Sequence, residues 1–435
     1  MHELAETQRT RGADLLAIGF GTTVAMWGIG YFSRMWLAVM PSRVLLFVML
    51  ACLVGGGFVA GRYTSRGWLG GLRTGALAGV LNLLVLGSLL SGDQPNQIVP
   101  SAVWWVPGSI LVAALAGAAG AVVGTHWKAG RANPVNWTSA FAGVGAVATL
   151  ILLTVGAMVT SKQAGLSVPD WPNTFGYNMF LYPLSRMTGG IYFEHGHRLF
   201  GTLVGLTTAV LAIHLWLTDR RGSIKLAGAV AVVAVVAQGI LGGLRVTGHF
   251  TLSASHADMA PNITIGMVHG VLGQLFFALL VALAVATCTT WVAGRRPAAA
   301  SAAATDRSLT VLLVVLLVAQ LVLGVILRHR YGAMAIHITM AVFVTVLAVA
   351  VGLRSWGLYD ERLIQRLGLT LILLTGLQVL LGVGALIATG ATAFVRPPPA
   401  PEVVLATAHQ AVGAVLLGWA VMLLLWHRRL FVGKV

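Results

Sequence analysis

Long apolar runs separated by short polar links fill almost the whole chain. Runs long enough to cross a bilayer, roughly 17 to 25 residues, lie near 14–31, 43–61, 67–91, 102–125, 138–160, 191–218, 226–244, 264–292, 308–327, 333–353, 366–388 and 403–425. This pattern predicts twelve transmembrane helices and an all-α polytopic fold, because a helix satisfies its own backbone in lipid. One run begins unusually. Phe193-Glu194-His195-Gly196-His197-Arg198 stands where a polar loop gives way to Leu199-Phe200-Gly201. Glu194 and His197 are three residues apart and share a helical face, and ionisable groups at such a position are costly and usually functional.

Composition agrees with the pattern. The 435 residues are 57% hydrophobic and 9% charged, with a mean hydropathy of +0.87, which excludes a soluble domain. A formal charge of +16 raises nucleic acid as a partner, but the Lys and Arg residues are scattered among short links, so they report topology and argue for membrane lipid and against nucleic acid. With both termini cytoplasmic, roughly two thirds of the 28 Lys and Arg residues fall in the inside links, among them Arg295 and Lys434, and the outside links hold the rest, Arg396 included, as the positive-inside rule requires. Cys52 and Cys288 sit in separate apolar runs, which excludes a disulfide framework or a thiolate metal site. Met1 to Asp14 lacks a small-residue cleavage site and reads as a cytoplasmic tail.

The first four predicted helices hold no chemistry. Gly71, Gly75 and Gly79 recur at four-residue spacing, as do Gly120 and Gly124, which permits close helix contact either within the chain or in a dimer. The basic link Lys128 to Pro134 is the expected boundary, so residues 1–130 form an N-terminal extension of unassigned role. Beyond the fifth helix, a loop from about Ser161 to Ile191 contains Gly165-Leu166-Ser167-Val168-Pro169-Asp170-Trp171-Pro172. It fits either a lid over a site or a cap anchored at the interface by Trp171, Tyr177, Phe180, Tyr182 and Tyr192.

The last eight runs contain an internal repeat. His197 and His337 are 140 residues apart, and so are His269 and His409; the same shift carries Gln238-Gly239-Ile240-Leu241-Gly242 onto Gln378-Val379-Leu380-Leu381-Gly382. It fails at Thr247-Gly248, which meets Ile387-Ala388, so the repeat has diverged. Residues 136–292 and 308–427 form the two halves, each with two histidines expected one to two turns in from the outer ends of its helices. Imidazole suits iron, copper, nickel or zinc, but no thiolate or carboxylate set completes a tetrahedral zinc site. Paired histidines across a glycine-rich bundle suit a flat macrocycle, giving one haem-sized site per half. His195, His214, His249, His256, His329 and His427 are expected to be solvated or interfacial.

These residues resemble the haem A synthase family, which converts haem O to haem A for terminal oxidases. The resemblance is carried by Gly165 to Pro172, by Glu194-His195-Gly196-His197-Arg198 and by His269, His337 and His409, over about residues 136–427. It implies a resident haem b on His337 and His409 and a substrate haem O on His197 and His269. Its implied partners are haem O synthase, the terminal oxidase assembly machinery and an unidentified electron acceptor or donor. The implied location is a bacterial-type inner membrane, with the haem sites toward the outer face. Two features depart from the family. Val168 to Gly176 contains no cysteine, where bacterial members often have a pair, and the four extra helices have no counterpart.

The residues themselves break the symmetry in the same sense, since the 140-residue shift places Met334 at Glu194 and Ile338 at Arg198. Glu194 is therefore the expected catalytic proton acceptor, and Arg198 and Arg245 are candidates to pair with haem propionates or to snorkel. Two other functions remain compatible with the histidines: a dihaem cytochrome b that transfers electrons, and a haem-binding membrane sensor or carrier.

Overall fold

A computed structural model of the chain describes residues 12–35, 40–92, 94–127, 135–250, 255, 260–294, 296–330, 332–391 and 397–433. The tail before residue 12, the link 128–134, His256, Arg295, Arg396 and Lys434 lie outside the described residues. Twelve helices long and apolar enough to span a membrane are present among the described residues. They are α1 (Ala13–Phe32), α2 (Ser42–Tyr63), α3 (Gly67–Leu86), α4 (Ala102–His126), α5 (Trp137–Ser161), α6 (Gly189–Thr218), α7 (Gly222–Thr247), α8 (Ile263–Thr287), α9 (Ala303–Arg330), α10 (Met334–Gly357), α11 (Arg362–Ala391) and α12 (Ala400–Leu430). The fold is thus an all-α polytopic membrane protein, and each predicted span has its helix.

Local signals set the ends. Asn136 and Asn262 cap α5 and α8, each side chain accepting from the backbone N–H three residues on, Ser139 and Ile265, at 3.0 Å, which satisfies one of the free first-turn donors. Gly248 ends α7 with a φ of 75°, a conformation that glycine adopts without strain. Helices α9 and α12 extend beyond their apolar runs because their polar end turns are held in place. Asp306 in α9 pairs with Arg354 of α10 and accepts from Tyr359 at 2.6 Å, and a short parallel pairing ties Ala298–Ala299 to Phe431–Val432 just past α12.

The glycines of α2, α3 and α4 are used inside the chain. A Cβ at Gly57, Gly71 or Gly75 would strike the backbone of Gly117 or Ala113 in α4, and one at Gly120 or Gly124 would strike Val54 or Phe58 in α2. The three helices therefore meet backbone to backbone, and their spacing is explained without a dimer. Helix α1 links these helices to the rest: Thr22 meets Gly56 of α2, and Leu77 of α3 meets Gly19. Its Ala17, Phe20, Val24, Trp27 and Tyr31 share one core with Phe141 and Val155 of α5, Leu199, Phe200 and Leu203 of α6, and Phe276 and Leu280 of α8. A second core joins α9 to α12 with the other side of α8, through Leu313, Val344, Leu371, Leu417 and Leu423. Large apolar side chains such as Val346, Leu373 and Leu380 remain exposed on α10 and α11, as lipid-facing surface requires.

Candidate bis-histidine sites and the loop above them

His197 and His269 come together from α6 and α8, their ring centroids 6.2 Å apart and their planes at 88°. With metal–nitrogen bonds of about 2 Å on either side of one metal, two axial imidazoles have centroids roughly 6 Å apart, so the pair fits a single iron. Each ring lies in a glycine notch. A Cβ at Gly156 would be 2.9 Å from His197 Cε1, and one at Gly242 would be 3.4 Å from His269 Cε1. The other pair repeats the device, with Gly324 at 3.1 Å from His337 Cε1 and Gly382 at 2.9 Å from His409 Cε1. A methyl group at Gly156, Gly324 or Gly382 would press on an imidazole, and one at Gly242 would make ordinary contact. No group of three or more His, Cys, Asp and Glu side chains suited to a metal ion occurs among the described residues, so paired imidazoles are the ligand sets the chain offers.

All four histidines lie near the starts of even-numbered helices, hence on one side of the bundle. Two are deeper than expected. Helices α6 and α12 start early, at Gly189 and Ala400, which puts His197 and His409 about 12 to 14 Å down the helix at a rise of 1.5 Å per residue.

The pairs differ in how their rings are held. His409 Nδ1 lies 3.2 Å from the Gln378 carbonyl, and the Gln320 amide donates to the His337 carbonyl at 3.0 Å and sits 3.2 and 3.3 Å from His337 Nδ1 and Nε2. Such contacts restrain ring orientation. His197 and His269 face the corresponding carbonyls, Leu152 and Gln238, in looser geometry than His409 has with Gln378. Leu152, four residues before Gly156, occupies the place that Gln320 holds before Gly324.

Glu194 faces the loop. Its Oε2 accepts from the Val168 N–H at 3.0 Å and its Oε1 from Arg198 Nη2 at 2.8 Å. Arg198 also donates to the carbonyls of Asp170 at 2.6 Å, Asn173 at 2.9 Å and Val168 at 3.1 Å, so its guanidinium grips the loop and does not snorkel. Asp170, fully buried, accepts from the Phe175 and Gly176 N–H groups at 2.7 and 2.8 Å and closes the tip. Trp171 lies against Gly243 of α7, where a Cβ would overlap its indole, and Arg245 donates to the Gly165 carbonyl at 2.7 Å. The loop is thereby fastened over the His197–His269 pair from α6 and α7. Two of its aromatics are turned inward, while Trp171, Phe180 and Tyr192 are half-buried. Tyr177 and Tyr182 are each 4% exposed and pack edge to face within the loop. Burial pushes the Tyr182 phenol up, against the pull of Arg186.

Three histidines expected to be solvated are buried. His195 is fully enclosed and pairs with Thr174 of the loop at 3.1 Å. His214 pairs with Thr138 of α5 at 3.0 Å, and His427 lies 3.3 Å from both Thr310 and Ser355. Hydroxyls on neighbouring helices replace the water that a helix end would otherwise supply. His249 is exposed and His329 half-buried.

Comparison with known proteins bears on this arrangement. Residues 139–339 match COX15-CtaA, a family of cytochrome oxidase assembly proteins. The match confirms the resemblance over α5 to the start of α10, taking in the loop, Glu194, Arg198, Arg245, His197, His269 and His337. It leaves out α1–α4 and the helix of His409. No curated protein and no solved structure matches the chain.

Proposed function

We propose that this chain is a haem A synthase, an oxidoreductase that oxidises a ring methyl of haem O to a formyl group in support of cytochrome oxidase assembly. In this reading His197 and His269 embrace the substrate, and His337 and His409 hold a resident haem b. The observation that carries it is the crossed His197–His269 pair at 6.2 Å, with the long α5–α6 loop fastened to α6 and α7 by Glu194, Arg198 and Arg245, whereas the matching link of the other half is short: α9 ends at Arg330 and α10 starts at Met334. The COX15-CtaA match supports the role. The Gln320 amide beside His337 suits a resident group, and Leu152 in its place beside His197 suits one that comes and goes.

The oxidation needs an electron acceptor from outside the chain, and iron and macrocycle would supply the route to it; the protein supplies position and a proton acceptor. Glycine notches set the imidazoles, and the loop excludes water from the side facing Val168 and Trp171. Arg245, which uses one donor on Gly165 and lies within electrostatic reach of both imidazoles, is the better placed arginine for a propionate; Arg198 is committed to the loop. Glu194 takes up a proton once the Val168 N–H lets go of its Oε2, so base and loop act together. The topology that goes with this reading has both termini cytoplasmic and the haem pairs toward the outer face.

A dihaem electron-transfer protein shares the histidines but gives no reason for a roof over one pair. The test is co-expression with haem O synthase, followed by chromatography of extracted haems. The parent makes haem A, and Glu194→Gln, which is isosteric but sets its NH2 against the Val168 N–H or the Arg198 guanidinium, makes less by about 100-fold with haem still bound. Equal haem A from both proteins removes Glu194 from the chemistry; no haem A from the parent removes the synthase reading.

A further inference from the structure

The helices before residue 127 lie outside the family match, yet they touch the site in two places. On α6, Tyr192, Gly196 and Phe200 are spaced four apart and form one ridge and notch. Trp27 and Tyr31 of α1 fill it. Tyr31 seats on Gly196, where a Cβ would lie 2.7 Å from its ring. It stacks on Tyr192 with centroids 4.9 Å apart and planes at 12°, and it meets Phe200 edge to face at 5.6 Å. Tyr192 donates its hydroxyl to the Tyr31 carbonyl at 2.6 Å. Trp27 meets Phe200 at 5.6 Å and donates to Asn82 of α3 at 3.0 Å. Gly196 lies between Glu194 and His197, so the aromatic wedge bears on the turn of α6 that carries both.

The second contact reaches the loop. Past α3, Gly87 packs against the Phe180 carbonyl, leaving no room for a Cβ, and the Ser88 hydroxyl donates to the same carbonyl at 3.5 Å. In the α3–α4 link, Asn96 accepts from the Asn178 N–H at 2.7 Å. The roof over the His197–His269 pair is thus held by α6 and α7 on one side and by the N-terminal extension on the other.

We propose that the N-terminal extension is a positioning element of the His197–His269 site. It fixes the Glu194–His197 turn through Tyr31 on Gly196, and it holds the covering loop through the α3–α4 link. The identity of the bound group rests on the haem reading above, whereas the mechanical role does not. Tyr31 is 7% exposed and its hydroxyl has no partner, so the ring acts by shape.

The full-length protein tests this in detergent with three readouts: trypsin cleavage after Arg186, an exposed residue of the loop; the low-spin haem spectrum of each pair; and the haem A to haem O ratio. Tyr31→Ala is expected to speed cleavage about ten-fold and to weaken the low-spin signal of the His197–His269 pair, while that of His337–His409 stays as an internal control. Tyr31→Phe, which keeps the ring, is expected to restore both. Gly196→Ala forces a methyl group into Tyr31 and is expected to act like Tyr31→Ala, and the Gly196→Ala/Tyr31→Ala double variant, which makes room, to recover. Unchanged cleavage and spectra in Tyr31→Ala, or a double variant no better than Gly196→Ala, overturns the proposal. Absence of haem A in the parent overturns the synthase reading alone, because cleavage and spectra still report on the wedge.

Discussion

Leu152 and Gln320 occupy equivalent places before the glycine notches of His197 and His337, and they predict different behaviour of the two pairs. Contacts behind a metal-bound histidine typically change affinity 10- to 100-fold. Gln320→Leu is expected to speed haem loss from the His337–His409 pair about ten-fold, and Leu152→Gln to slow it at His197–His269, measured as transfer to a haem-scavenging protein. Equal rates in parent and variants would show that the amide does not tune retention. At this scale the sequence revealed which residues matter better than what they touch. The four histidines of the two pairs could be found by the 140-residue shift, since a repeated histidine is visible without coordinates. The direction of Glu194 was not visible, because its partner is a backbone N–H at Val168, which has no sequence signature. His195, His214 and His427 were misplaced for a related reason: Thr174, Thr138 and Thr310 are distant along the chain, and a hydroxyl on a neighbouring helix looks like any other threonine.

Helices were legible because length and apolarity alone define a span, and the expected runs fall within a few residues of α1–α12. Which helix lies beside which was less visible. In lipid an apolar face does not announce its partner, since tails and side chains are equally apolar, so α1 gave no sign that it lies between α2 and α3 on one side and α5 on the other. Glycine spacing carried that information for α2, α3 and α4, without naming the partner. Gly117→Leu tests the assignment: its side chain would meet Gly71 and Gly75 of α3, and overpacking of this kind costs about 1 to 3 kcal/mol. Thermal unfolding in detergent should show a lower midpoint with haem binding by the His337–His409 pair retained. An unchanged midpoint would mean that α3 and α4 do not meet there.

Across the whole molecule, two similar bundles share α8, and their sites differ in roof and in ring support. The molecule should therefore hold two unlike haems. Protein purified after co-expression with haem O synthase is expected to contain two haems per chain by pyridine haemochrome assay, and His337→Ala/His409→Ala to keep one. A single haem in the parent would mean that only one pair is a true site. The order in which these parts emerge during synthesis follows from the wedge of Trp27 and Tyr31. Membrane proteins acquire their helices from the N-terminus onward, so α1 and its companions reside in the bilayer well before Gly196 leaves the ribosome. The helix that carries Glu194 and His197 thus has in α1 a surface to dock on as soon as it is made. A chain cut in the link after α4 and expressed as two pieces has in α1 the surface that would bring them back together.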